Sequence, residues 1–92
     1  MPSYLERALR LMDEFLDGRL PTEEFCSRFE QLWNFDRDDS GVTPWQRRLL
    51  EQLFDTVAWY SPVEADRRSN PAFKDDASIQ AETRRIRDQL VR

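Results

Sequence analysis

Residues 43–62, TPWQRRLLEQLFDTVAWYSP, decide how this chain folds. Thr43 is a good N-cap, and Pro44 suits the first helical position, where its missing N–H is no loss. Gln46 stands three residues past the cap and completes a capping box. Trp45, Leu49, Leu53, Phe54 and Val57 then recur at helical spacing, with Leu50, Ala58 and Tyr60 at the margins. So wide an apolar stripe predicts a central helix that touches the others on more than one side. The stop is equally explicit. Pro62 cannot extend a helix and pushes Ser61 towards extended geometry, so the helix closes on Trp59-Tyr60 and opens into the charged run Glu64-Ala65-Asp66-Arg67. That run reads as an exposed loop, held at its root by packed aromatics, which displays Glu64 and Asp66 to a partner.

Working outward, Ser3 and Glu6 form a second capping signature, followed by Leu5, Leu9, Met12 and Leu16 with Ala8, Leu11 and Phe15, until Gly18 stops the helix. Pro21-Thr22 starts the next, where Glu23 and Glu24 suit the positive end of the helix dipole and Phe25, Phe29, Leu32 and Trp33 line one face. Residues 36–42, DRDDSGV, read as a loop. Residues 61–74 form a long connection with Pro62, Asn70 and Pro71, which Phe73 pins onto the core. The last helix runs from Asp75 or Asp76 to Leu90, with Ile79, Thr83, Ile86 and Leu90 inward. Four amphipathic helices and no strand candidate predict an all-α fold, a small antiparallel four-helix bundle in a single domain over residues 1–92.

At 39% hydrophobic and 12% aromatic residues, the 92-residue chain can build a real core. No apolar stretch approaches a membrane span and no signal-peptide pattern is present, so a soluble, cytoplasmic protein without a membrane partner is expected. The single Cys26 fits a reducing compartment. Net charge is −4, unevenly spread: over residues 1–66 fourteen acids face seven arginines, giving −7, and the remainder carries +3. An acidic body disfavours a phosphate backbone and favours a basic partner, with faster association as the physical benefit.

Catalytic chemistry finds little footing. There is no histidine to act as base or metal ligand, and Cys26, without one to activate it, reads as a small packed or half-exposed residue. Glu23-Glu24, Asp38-Asp39 and Asp75-Asp76 are adjacent pairs, which do not face each other on a helix and commonly serve its dipole. Asp36, Asp38 and Gly41 superficially match a calcium loop, but Arg47 stands where the closing glutamate belongs. Two distant glycines cannot cradle a phosphate. The basic residues near the C-terminus alternate with Glu82 and Asp88, as on a solvated helix end, and the aromatics lie at core spacing instead of forming stacking platforms, so no direct nucleic-acid contact is expected. No catalytic residue, cofactor or metal is assigned.

The order Leu11 to Leu16, Gly18-Arg19-Leu20, Glu24-Phe25, Phe29, Trp33, Tyr60-Ser61-Pro62 and Glu64 to Arg67 resembles the colicin D-type immunity proteins, which include immunity partners of contact-dependent inhibition toxins. The similarity runs over about residues 5–90 through loose hydrophobic spacings and the stretch from Tyr60 to Arg67. It implies an acidic four-helix bundle that binds the nuclease domain of a cognate tRNA-cleaving toxin, with carboxylates covering the basic active-site cleft in place of RNA phosphates. Carried to this chain, the contact set is Glu64 and Asp66 on a rigid base of Tyr60 and Pro62. Ala58 and Ser61 stand where the family carries acids, and Asp55 and Glu51, one and two turns earlier, are offered as replacements. Asp36, Asp38 and Asp39 form a second candidate contact zone.

The expected function is therefore stoichiometric inhibition of a nuclease toxin, a bacteriocin or contact-dependent type, without catalysis. The alternative from another class is an acidic helical adaptor or regulatory module docking on a basic host protein. The oligomeric state of the chain alone is not legible.

Overall fold

A computed structural model describes residues 3–91 and gives five α-helices: α1 (Tyr4–Leu16), α2 (Thr22–Phe35), α3 (Pro44–Ala58), α4 (Glu64–Ser69) and α5 (Asp76–Leu90). The fold is all-helical. Among the described residues the β-type pairing is an isolated parallel bridge between Tyr60 and Lys74. Five helices replace the four expected. The addition, α4, lies in what the sequence reads as a loop, and it carries no apolar periodicity because it buries no residue.

Local signals set the helix ends. Ser3 Oγ accepts from the backbone of Glu6, and both halves of the Thr43–Gln46 capping box form. Asp75 caps α5 through Ser78 N at 2.8 Å. After α1, Gly18 adopts φ +80°; its N–H reaches Phe15 O while Arg19 N–H reaches Glu14 O, the paired bonds of a Schellman stop.

α1 packs on α2 and α5, α3 packs on α2 and α5, and α2 also touches α5. Two expectations shift. The third helix is not the hub, since α2 and α5 each meet three neighbours while α3 meets two. Its wide stripe instead ends in aromatics at the surface: Trp45 is 55% exposed and Trp59 45%. On α1 the inward row is Tyr4, Ala8, Met12 and Phe15, whereas Leu5, Leu9, Leu11 and Leu16 are only partly buried. Tyr4 is the residue missed; its hydroxyl is buried without a partner, and burial pushes its pKa up to about 12.

Phe25, Phe29, Leu50, Leu53, Ile79 and Ile86 are fully buried between the long helices. Phe15 stacks on Phe25 at 4.4 Å between ring centroids, tying α1 to α2, and Trp33 stacks on Phe54 at 5.3 Å, tying α2 to α3. Thr83 joins the core as expected because its hydroxyl donates to Ile79 O at 2.7 Å, which satisfies it inside its own helix. Among the described residues no helix is long and apolar enough to cross a membrane.

Candidate partner-binding surface

The connection from α3 to α5 is closed at its root. Lys74 N donates to Trp59 O at 2.8 Å and Ser61 N donates to Lys74 O at 3.0 Å, so the strand-like ends of the segment are bonded together. Phe73, half-buried, packs edge-on against Trp59 with centroids 5.5 Å apart; it pins the connection to that exposed aromatic at the end of α3 and not, as the sequence suggests, to the core. Tyr60 is half-buried, and its hydroxyl donates to Asp76 Oδ1 at 2.6 Å. Burial, then the neighbouring Asp76 carboxylate, pushes the Tyr60 pKa up to about 12.

Within that frame one residue organises α4. Ser61 is 5% exposed. Its hydroxyl accepts from Val63 N at 3.2 Å and donates to Asp66 Oδ2 at 3.1 Å, while its carbonyl accepts from Arg67 Nη1 at 2.7 Å. α4 packs against none of the other helices. It is held to the body chiefly through this serine, to which the sequence assigns an extended backbone and no hydrogen-bonding role. The signal available in the sequence is a serine just before a proline at a helix stop, because such a short hydroxyl readily bonds nearby backbone.

The two carboxylates of α4 therefore differ. Glu64 is exposed and, among the described residues, bonded only to Arg68, one turn on, at 2.8 Å, with the side chains 70% and 75% exposed. Asp66 is exposed but is engaged by Ser61, so its carboxylate positions the helix as well as facing solvent. Pro62 and Val63 at the start of α4 are also exposed. On α3, Glu51 and Asp55 are exposed, and the four-residue spacing to Trp59 puts all three in one row of the helix. Asp55 makes no ion pair among the described residues. A small hollow of about 210 Å³ is lined by Tyr60, Pro62, Arg67, Asp75, Asp76 and Ala77. The sequence reads Asp75 and Asp76 only as helix-start acids; folding brings them beside Tyr60. Asp75 keeps its capping duty, and its bonds from Ser78 hold its carboxyl below the ordinary range.

The second candidate zone is built differently. Asp36 pairs with Arg7 at 3.3 Å, and Asp39 lies 3.7 Å from Arg37 and 4.0 Å from Arg47. Asp38 Oδ1 accepts from Ser40 N at 3.0 Å and Ser40 Oγ at 2.6 Å, and these bonds hold its carboxyl low. Gly41, at φ +77°, and the bond from Val42 N to Asp39 O complete the turn. Arg37 also sits over the Trp33 ring, 4.9 Å from its centroid. All three acids are at the surface, but each has a partner that shapes the loop.

Cys26 is buried, and burial, reinforced by Glu30 and Asp76, pushes its thiol up to about 12, which suits packing and not nucleophilic attack. Among the described residues no group of three or more His, Cys, Asp or Glu side chains converges as a metal site would require. No protein-family model, no curated protein and no solved structure matches this chain.

Proposed function

We propose that this chain is an immunity-type inhibitor of a nuclease toxin, acting through the surface formed by the end of α3, by α4 and by the start of α5. The observation that carries the reading is two exposed apolar residues with exposed carboxylates close to them along the chain. Trp59 is 45% exposed and Val63 50%. Asp55 stands one turn before Trp59, Glu64 directly follows Val63, and Asp76 is bonded to Tyr60. Tryptophan and tyrosine at the middle of a patch are the usual anchors of protein interfaces, and peripheral carboxylates select a partner of opposite charge. The resemblance to colicin D-type immunity proteins supports the same reading, with the four long helices as the antiparallel bundle of that family and α4 as an addition within its last connection.

In this mechanism the acidic body draws in the basic cleft of a tRNA-cleaving domain. Trp59 and Val63 then lose water against the toxin, and Asp55 and Glu64 accept charge-assisted hydrogen bonds from lysines or arginines that would otherwise hold RNA phosphates. Glu51 extends the acidic row along α3. The inhibitor works by occupancy in the bacterial cytoplasm, and neither a cofactor nor a reaction of its own is involved.

The test is association of the chain with the toxin-like nuclease domain encoded beside it, measured at low and high salt together with cleavage of tRNA. Tight binding that weakens as salt rises, with cleavage suppressed at one-to-one stoichiometry, is the expected result. Absence of binding overturns the reading and transfers the surface to an adaptor that docks on a basic host protein.

A further inference from the structure

α3 packs on α2 and α5 and buries Leu49, Leu50, Leu53 and Val57, which leaves its opposite side to solvent. Trp45, Arg48, Gln52, Asp55 and Trp59, the last at the C-terminal cap, are all exposed there. Their spacings run three, four, three, four, which keeps them in one stripe about 21 Å long. Alternation of this kind is how a seam between two packed helices is spaced.

The stripe is symmetric in shape and antisymmetric in charge. A tryptophan stands at each end, 55% and 45% exposed, with Gln52 at the middle. Arg48 precedes the glutamine and Asp55 follows it, and neither enters an ion pair among the described residues. Gln52 Oε1 accepts from Arg85 Nη2 at 2.9 Å, and Arg85 is itself paired with Glu82, so no free charge sits at the midpoint.

We propose that two copies of this chain associate through α3, antiparallel about a two-fold axis at Gln52. Turning the stripe end for end sets Trp45 against Trp59 of the second copy and Arg48 against its Asp55. Each contact then occurs twice, as an isologous interface requires. Two aromatic pairs bracket two charge-assisted hydrogen bonds. A parallel arrangement is disfavoured, because it sets Arg48 on Arg48 and Asp55 on Asp55. A basic partner meets repulsion at Arg48 and an acidic one at Asp55, whereas a second copy complements both. Glu51 opposes the dimer: it lies at the edge of the stripe and meets its own copy across the axis. That repulsion, with a contact only one helix wide, keeps the association weak and reversible. Asp55 and Trp59 also belong to the surface proposed for the toxin, so, if that reading holds, dimer and toxin complex exclude each other.

Sedimentation equilibrium of the full chain alone, at concentrations up to about 1 mM, reads the association without any toxin, so its failure leaves the inhibitor reading intact. The mean mass is expected to rise from monomer towards dimer with concentration. Arg48→Asp and Asp55→Arg should each weaken association about tenfold or more, since each sets like charges together twice. Joined in one chain they exchange the two charges and should restore it to within about threefold. Trp45→Ser should weaken it about tenfold, and Glu51→Gln should tighten it severalfold. Unchanged helicity of each variant by circular dichroism separates a lost contact from a lost fold. A mass that stays monomeric at every concentration overturns the proposal, as does a dimer that both single charge variants leave intact. A double variant no tighter than its parents overturns the antiparallel pairing.

Discussion

The two long connections of the molecule carry the same number of acids and use them in opposite ways. Residues 36–43 hold Asp36, Asp38 and Asp39, and residues 59–75 hold Glu64, Asp66 and Asp75. In the first, arginines arrive from α1, from the loop itself and from α3, while Ser40 takes Asp38. In the second, Asp66 and Asp75 bond to serines that shape the chain, and Glu64 is left with a single, equally exposed arginine one turn away. An exposed pair of that kind is worth only a few tenths of a kcal/mol, so Glu64 exchanges Arg68 for a partner's cation at little cost. The capacity to present charge follows from what the fold sets around each carboxylate, and a count of acids along the sequence does not reveal it.

The largest expected effect tests that contrast directly. Asp55→Lys with Glu64→Lys should weaken association with the nuclease domain by about a hundredfold or more, because each reversal replaces a charge-assisted contact with repulsion. Asp36→Asn and Asp39→Asn should stay within about threefold. Binding constants for the three variants decide the matter: if either loop variant loses more than the α3–α4 double variant, the contact surface lies at residues 36–43 and the comparison is reversed. Asp66 is left intact in this series, since its replacement would also disturb α4 through Ser61.

An intermediate effect is expected from Ser61→Ala. The change removes the hydroxyl bonds to Val63 N and the Asp66 carboxylate; both residues are exposed and water can take the place of Ser61, so the cost is about 0.5–1.5 kcal/mol. It should fall locally, since α4 packs on no other helix. Hydrogen exchange should speed up at the backbone amides of Asp66, Arg67 and Asn70, which close α4, and stay unchanged in α3. Equal acceleration in both would mean that α4 is part of the cooperative core.

What could be read beforehand divides along the same physical line. The caps at Ser3, Gly18 and Thr43 are legible because each joins residues within five positions of one another, whereas the start of α5 is left open between Asp75 and Asp76. The rigid root at Tyr60 and Pro62 is legible because proline restricts its neighbour by sterics alone. The inward row of α1 differs from the sequence reading, since leucines occupy both flanks of its stripe and Tyr4, Ala8, Met12 and Phe15 are the residues buried in the core. α4 escaped because a six-residue helix that buries nothing has no hydrophobic period. The neutralising pairs were beyond reach for another reason: Arg7 and Asp36 are 29 positions apart and Asp13 and Arg87 are 74. Charge pairing over such distances exists only once the helices are packed.

The smallest effect concerns Asp38, and it isolates the chemistry of the first connection. Its carboxyl is held below the ordinary 3.8 by the side-chain and backbone bonds from Ser40. A carboxyl whose pKa is lower in the folded than in the unfolded chain favours folding at neutral pH. That contribution is complete above the unfolded value and disappears as pH falls through the lowered folded value. Ser40→Ala removes the hydroxyl bond and leaves the backbone one, so the Asp38 titration seen by carboxyl carbon NMR should move up towards 3.8 without reaching it. Because Asp38 is solvated, global stability at neutral pH should barely change, and the visible consequence should be a slightly gentler loss of stability on acidification. The same substitution at Ser78 leaves its backbone bond to Asp75 in place and should move the Asp75 titration in the same direction. If Asp38 moved and Asp75 did not, the hydroxyl would matter in the first connection alone, leaving the backbone cap of α5 to hold the carboxylate of the second.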